Sequence, residues 1–254
     1  MDTLYSADQC FIGKRQVIKL LLLALNAAKL GKVLASGGTM IVSVFAYSLI
    51  FGWPYAAGFV ILIFVHEMGH YVAARRRGLE VGLPVFIPFV GAWVALKSIP
   101  HDAETEAYIG IWGPLAGTFG ALACLFLAHA MDSRLLLALA YAGCFINLFN
   151  LIPLLPFDGG RISQVLSPKL WLVGMPILIA MFFWRPSPIL ILVALLAAPA
   201  VYRAIRGWKD QPPEYYIASP SIRMSYGALY LGLAAFLAIL SYELSIELGT
   251  TIAG

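Results

Sequence analysis

Residues 55–74 read YAAGFVILIFVHEMGHYVAA. Twenty such residues at about 1.5 Å rise each are enough to cross the ~30 Å hydrocarbon core of a bilayer. The run is apolar except in Val65-His66-Glu67-Met68-Gly69-His70, which places three ionisable side chains inside it. Ionisable groups at membrane depth are costly and mark function by default. On a helix, residues four apart lie one turn above each other, so His66 and His70 share a face and can hold one metal ion. Glu67 is rotated aside but stays within reach of a water activated at that ion, where a carboxylate can act as general base. The competing reading, that the histidines only bond to neighbours in the core, has to explain all three groups in one span.

The rest of the chain agrees with a lipid setting. Of 254 residues, 61% are hydrophobic and only 12% charged, with a mean hydropathy of +0.86. A soluble domain is about half apolar and about a quarter charged, so this chain cannot cover itself with a wetted surface. Disorder is excluded by the same numbers. Further candidate spans lie near 35–52, 107–131, 135–157, 170–184, 189–206 and 224–242. The fold class expected is an all-α polytopic membrane protein with six to seven transmembrane helices around a three-helix catalytic core. The pair 170–184 and 189–206 is short and reads as a tight hairpin or a partly re-entrant pair.

The net charge of +4 invites thoughts of nucleic acid, but the placement of the basic residues argues otherwise. With the N-terminus inside, every lysine and arginine except Arg134 and Arg185 falls on the cytoplasmic side, as the positive-inside bias requires. No nucleic-acid partner is expected; the bilayer is the partner. Residues 15–34 combine Arg15, Lys19, Lys29 and Lys32 with leucines and read as an amphipathic helix lying on the membrane surface, or else as a poor extra span. Residues 81–97 are apolar but broken by Pro84, Pro88 and Gly91, which favours a short membrane-associated β-hairpin turning near Gly91. Such backbone survives at membrane depth only where it lines a cavity or packs in protein. Cys10, Cys124 and Cys144 lack metal or disulfide spacing, and residues 2–15 do not read as a cleavable signal. The chain therefore divides into the interfacial helix at 15–34, a catalytic core at 35–170 and additional spans at 171–254, all in one membrane-embedded unit, 1–254.

Two histidines leave a catalytic zinc one protein ligand short. Asp158 follows a long apolar run, stands beside the helix-breaking pair Gly159-Gly160 and reaches the same depth as the histidines, whereas His101 and His129 sit at interfaces. Pro153 and Pro156 break the helix before Asp158. Asn150 is a candidate for contacting substrate or a developing oxyanion; Asn147 is a weaker one, since an interhelical amide bond is the plainer reading. Gly113-Pro114-Leu115-Ala116-Gly117 reads first as close helix packing through small residues.

These elements together resemble the site-2 protease family of intramembrane zinc metalloproteases. His66-Glu67-Met68-Gly69-His70, Gly113–Gly117, Asn150-Leu-Ile-Pro153 and Phe157-Asp158-Gly159-Gly160 carry the likeness, across residues 39–170. Phe157 stands where the family often has leucine. The resemblance implies one catalytic Zn2+ held by His66, His70 and Asp158, Glu67 as the catalytic carboxylate, and Asn150 as a substrate-positioning residue. Only Asp132-Ser133-Arg134 joins the third and fourth spans, so a compact member is expected, without a PDZ or CBS domain. The expected function is hydrolysis of peptide bonds within or near transmembrane segments that can unwind. A prokaryotic cell membrane, a cytoplasm-facing site and an unidentified regulatory membrane partner complete the expectation. The alternative class is a metal transporter or inactive scaffold.

Overall fold

A computed structural model describes residues 31–96, 98, 100–184, 186–206 and 211–253. Helix α1 (Gly31–Phe51) leads through Gly52, at φ 81°, into α2 (Trp53–Arg76), which has proline in its first turn and Arg75 and Arg76 in its last. Both end features suit a helix: proline lacks an N–H that would go unused there, and cations favour the carbonyl end. A two-stranded antiparallel hairpin follows, β1 (Val85–Ile87) and β2 (Gly91–Trp93), pairing Val85 with Trp93, Phe86 with Ala92 and Ile87 with Gly91. The turn between the strands holds Phe89 at φ 62° and leads into Gly91 at φ 124°.

Helix α3 (Ala103–Met131) starts where the Asp102 carboxylate accepts the Thr105 N–H at 2.7 Å, a standard N-terminal cap. It ends on Asp132 in the left-handed region, and Ser133 at once caps α4 (Arg134–Asn150). The two helices are therefore joined by two residues, which forces them antiparallel. Beyond α4 come α5 (Asp158–Leu166), α6 (Trp171–Trp184), α7 (Pro188–Arg206) and α8 (Pro220–Ala253), with one-turn 3-10 helices at Pro168–Leu170 and Pro213–Tyr216. Helices α2, α3, α4 and α5 form the packed centre, α8 closes against α4 and α5, and α6 pairs with α7. Over the start of α3, the Tyr215 hydroxyl donates to the Glu106 carboxylate; burial first, then that carboxylate, pushes the phenol well above its usual range.

Among the described residues, four helices are long and apolar enough to cross a membrane: α1, α2, α3 and α8. Helix α4, and the apolar stretches of α6 and α7, are shorter, and together the seven match the helix number expected. Three boundaries differ. The fourth span was expected to run through 157, but its helix stops at Asn150 and residues 151–157 form turns, because Pro153 and Pro156 cannot supply the N–H groups that would extend it. Gly159-Gly160, expected to break a helix, lie inside α5. Residues 31–34 of the expected surface helix are continuous with α1, and the remainder of 15–34 lies outside the described residues.

Candidate metal centre and active site

His66 and His70 sit one turn apart on α2, both 5% exposed. Their Nε2 atoms are 3.1 Å apart. Asp158 opens α5, 7% exposed, and sets one carboxylate oxygen 3.1 Å from the Nε2 of His66 and the other 3.1 Å from the Nε2 of His70. Two stretches 88 positions apart in the chain, His70 and Asp158, thus meet in one triangle.

The outer face of each imidazole fixes what the inner face can do. His70 Nδ1 lies 2.8 Å from the Ile109 carbonyl, which can only accept, so Nδ1 carries the proton. His66 Nδ1 lies 2.8 Å from Asn147 Oδ1. The Asn147 amide cannot be reversed, because its Nδ2 donates to the Gly143 carbonyl at 2.6 Å; His66 Nδ1 is therefore also a donor. A neutral imidazole held this way turns its Nε2 lone pair inward, towards the other ring and the carboxylate. A cation bound among the three groups satisfies all three contacts at once. Ligand atoms on a tetrahedral zinc, at bond lengths of about 2.0–2.1 Å, lie roughly 3.3 Å apart, so the three groups fit zinc with little adjustment. Among the described residues these three are the His, Cys, Asp and Glu set able to hold a metal ion.

The segment 151–157 reaches this position through two close approaches. A Cβ on Gly159 would stand 2.2 Å from the Leu151 carbonyl oxygen, and one on Gly160 would stand 2.4 Å from the backbone of Leu154. Only hydrogen at both positions lets the turn fold back over the first turn of α5. Its loose ends are tied: Tyr230 of α8 donates to the Leu151 carbonyl, and Trp171 Nε1 donates to that of Gly160 at 3.0 Å.

Across the bundle, α3 makes room for His70 and for Asn147, the partner of His66. A Cβ on Gly113 would lie 2.2 Å from His70 Nε2, and one on Gly117 would lie 2.2 Å from Asn147 Oδ1. The glycines of Gly113–Gly117 are site residues as much as packing residues, a role the sequence reading ranked second. Asn147 requires a correction. It was offered as a candidate substrate contact, but it is 1% exposed and its amide is spent on His66 and Gly143. A buried amide must find partners, yet nothing in the sequence says that His66 is one.

Glu67 and Asn150 do face open space. With His66, His70 and Asp158 they line a cavity of about 370 Å³. Asn150 donates one N–H to the Ile146 carbonyl at 3.0 Å, leaving its other N–H and its oxygen available. The far wall is hydrophobic, with Phe89, Ala92 and Trp93 from the hairpin and Leu192, Val193 and Leu196 from α7. The residues expected to line something at 81–97 therefore line this cavity.

Residues 54–133 match Peptidase family M50. Over that segment the chain is similar to the site-2 protease family that its motifs resemble. The matched segment holds His66, Glu67, His70, Gly113 and Gly117 but stops short of Asp158, whose place in the site comes from the structure. The zinc metalloprotease MJ0392 of Methanocaldococcus jannaschii is 32% identical over 118 residues, 43% of this chain and 34% of that protein. Rip3 of Mycobacterium tuberculosis is 31% identical over 131 residues, 46% of this chain and 33% of that protein. The chain thus spans about a third of the length of the curated relatives it matches. A solved site-2 protease from Methanocaldococcus jannaschii aligns with a TM-score of 0.45 and 23% identity, over 71% of this chain and 89% of that one. The likeness to M50 proteins and the four long apolar helices together support an integral membrane protein.

Proposed function

We propose that this chain is an intramembrane zinc metalloprotease that hydrolyses peptide bonds in or beside transmembrane segments. The observation that carries the reading is the convergence of two imidazoles and a carboxylate, all acceptors, inside an apolar helical bundle, with Glu67 on the wall of the adjoining cavity. Zinc held by His66, His70 and Asp158 would supply Lewis acidity, lowering the pKa of a water from 15.7 towards ~7 and polarising the scissile carbonyl. Glu67 takes the proton as the water oxygen bonds to the carbonyl carbon. It then returns that proton to the departing amine as the C–N bond breaks, leaving a carboxylic acid and an amine, which exchange a proton to become carboxylate and ammonium. Asn150, which lines the cavity with one N–H unused by Ile146, is assigned to donate to the substrate backbone or to the developing oxyanion.

A substrate helix hides its carbonyls in its own hydrogen bonds and must unwind before it can be cut. The hairpin offers the unwound strand a partner. The Phe86 N–H points away from β2, towards Thr39 Oγ1 at 3.2 Å. Residues opposite each other in an antiparallel pair turn their backbone groups the same way, inward or outward. Ala92 therefore turns its N–H and C=O away from β1, on the strand that lines the cavity. The outer edge of β1 is occupied by α1, through Thr39 and through Ser36, whose hydroxyl donates to the Pro84 carbonyl at 2.6 Å. Addition of the substrate strand to β2 follows. The partners proposed are a membrane protein with an unwindable transmembrane helix and a regulatory membrane protein. The setting proposed is a prokaryotic cell membrane with the N-terminus and the site's opening on the cytoplasmic side.

The deciding experiment is Glu67→Gln in the full chain. It should bind zinc as the unmodified protein does while cleavage of a membrane-embedded reporter falls by at least about a hundredfold, the scale of lost general-base catalysis. Metal flux that survives this change in the absence of any cleavage by the unmodified chain would make the protein a transporter instead.

A further inference from the structure

Arg161 has no part in the chemistry above. It stands three residues beyond Asp158, one turn along α5 on the same side. It is half-buried and lines the cavity shared by His66, Glu67, His70 and Asp158. Other arginines nearby are engaged. Arg77 lies 3.4 Å from Glu104 and over the Tyr108 ring, Arg76 lies over Trp112, and Arg223 donates to the carbonyls of Ala218, Leu166 and Tyr216. Arg161 interacts electrostatically with Glu67, which lines the same cavity, but makes no hydrogen bond, close ion pair or ring contact among the described residues. A half-buried guanidinium whose N–H groups have no acceptor is expensive to keep.

We infer that Arg161 is an anion subsite for a carboxylate of the peptide in the cavity. The inference rests on the protease reading and names the chemistry of what that site takes. A planar guanidinium pairs with a carboxylate through two parallel N–H···O bonds, which neither a backbone carbonyl nor a lysine reproduces. The carboxylate has two sources. One is an aspartate or glutamate side chain near the cleaved bond, which makes Arg161 a specificity residue. The other is the C-terminal carboxylate that hydrolysis creates, which makes it a product-holding residue.

Binding to the zinc-loaded, full-length Glu67→Gln protein in detergent tests this without turnover. Three dye-labelled alanine-leucine peptides serve as probes: one ending in a free carboxylate, one in a carboxamide, and one in a carboxamide with an internal glutamate. At least one carboxylate probe should bind roughly tenfold more tightly than the plain carboxamide, as for a charge-assisted hydrogen bond. The free end being preferred assigns product holding; the internal glutamate being preferred assigns substrate selection. Adding Arg161→Gln should erase the preference at unchanged zinc content, and Arg161→Lys should leave an intermediate one. Should Arg161→Gln lose zinc, the lysine variant decides: a reduced preference supports the subsite and a full one overturns it. No preference in the Arg161 protein, or one that survives Arg161→Gln because the metal alone supplies it, also overturns the subsite. Cleavage of a reporter by the unmodified chain with no carboxylate preference would remove only the subsite, whereas a preference without any cleavage would remove only the protease reading.

Discussion

Asn147 shows how much of a metal site lies one bond away from the ligands. Its amide is oriented by the Gly143 carbonyl and in turn fixes the tautomer of His66, leaving the Nε2 lone pair to face Asp158. Partners of this kind are typically worth about 10–100-fold in metal affinity. Asn147→Leu should therefore weaken zinc binding by that amount in a chelator competition, while Asn147→Asp, which keeps the acceptor, should lose less. Gly113 makes the converse argument, since there the absence of a side chain is what counts. Gly113→Ala would put a methyl group 2.2 Å from His70 Nε2. Zinc stoichiometry should fall well below one per chain with the helical circular dichroism intact, and full occupancy in this variant would contradict the geometry. Neither role is readable from the local sequence, because the partner of each residue lies on another helix.

The hairpin and α5 carry the argument at the level of elements. Prolines and glycine at 84, 88 and 91 marked residues 81–97 as non-helical, and β-branched and aromatic residues suggested strands. Which edge would be free depended on α1, whose Ser36 and Thr39 cover β1. Ala92→Pro removes the one outward N–H of β2 without touching its ladder to β1. Cleavage of a membrane reporter should drop at least about tenfold with zinc retained, since a strand-adding substrate loses a main-chain hydrogen bond; undiminished turnover would refute strand addition. Helix α5 was hidden for a different reason. Gly159-Gly160 read as a breaker from helix propensity, but the turn 151–157 needs both glycines to close over that helix, so close approach outweighed propensity.

For the whole molecule, the metal should act as a structural link as well as a reagent. His66 and His70 belong to α2 and Asp158 to α5, and an ion bound to all three ties these helices together across α3. Removing it leaves a buried carboxylate and two imidazoles with no cation to join them. A chelator should accordingly lower the melting temperature of the detergent-solubilised protein, and zinc should restore it. With free zinc at 100 times its dissociation constant the stabilisation is about 2.7 kcal/mol. An unchanged melting temperature on full removal of the metal would mean that the helices are positioned without it.

The amino-acid order alone pointed to a lipid solvent, to the number of apolar segments and to His66 and His70 one helical turn apart on one face, because hydropathy and helical spacing act over twenty residues or fewer. It also singled out Asp158, by depth and by the prolines before it. Tertiary structure alone decided that α4 stops at Asn150, that Asn147 serves His66 rather than substrate, that glycines on α3 clear space for His70 and Asn147, and that Arg161 is left without a hydrogen-bonded acceptor. Each of these depends on which helix lies opposite, and close packing between segments far apart in the chain leaves no local pattern to read.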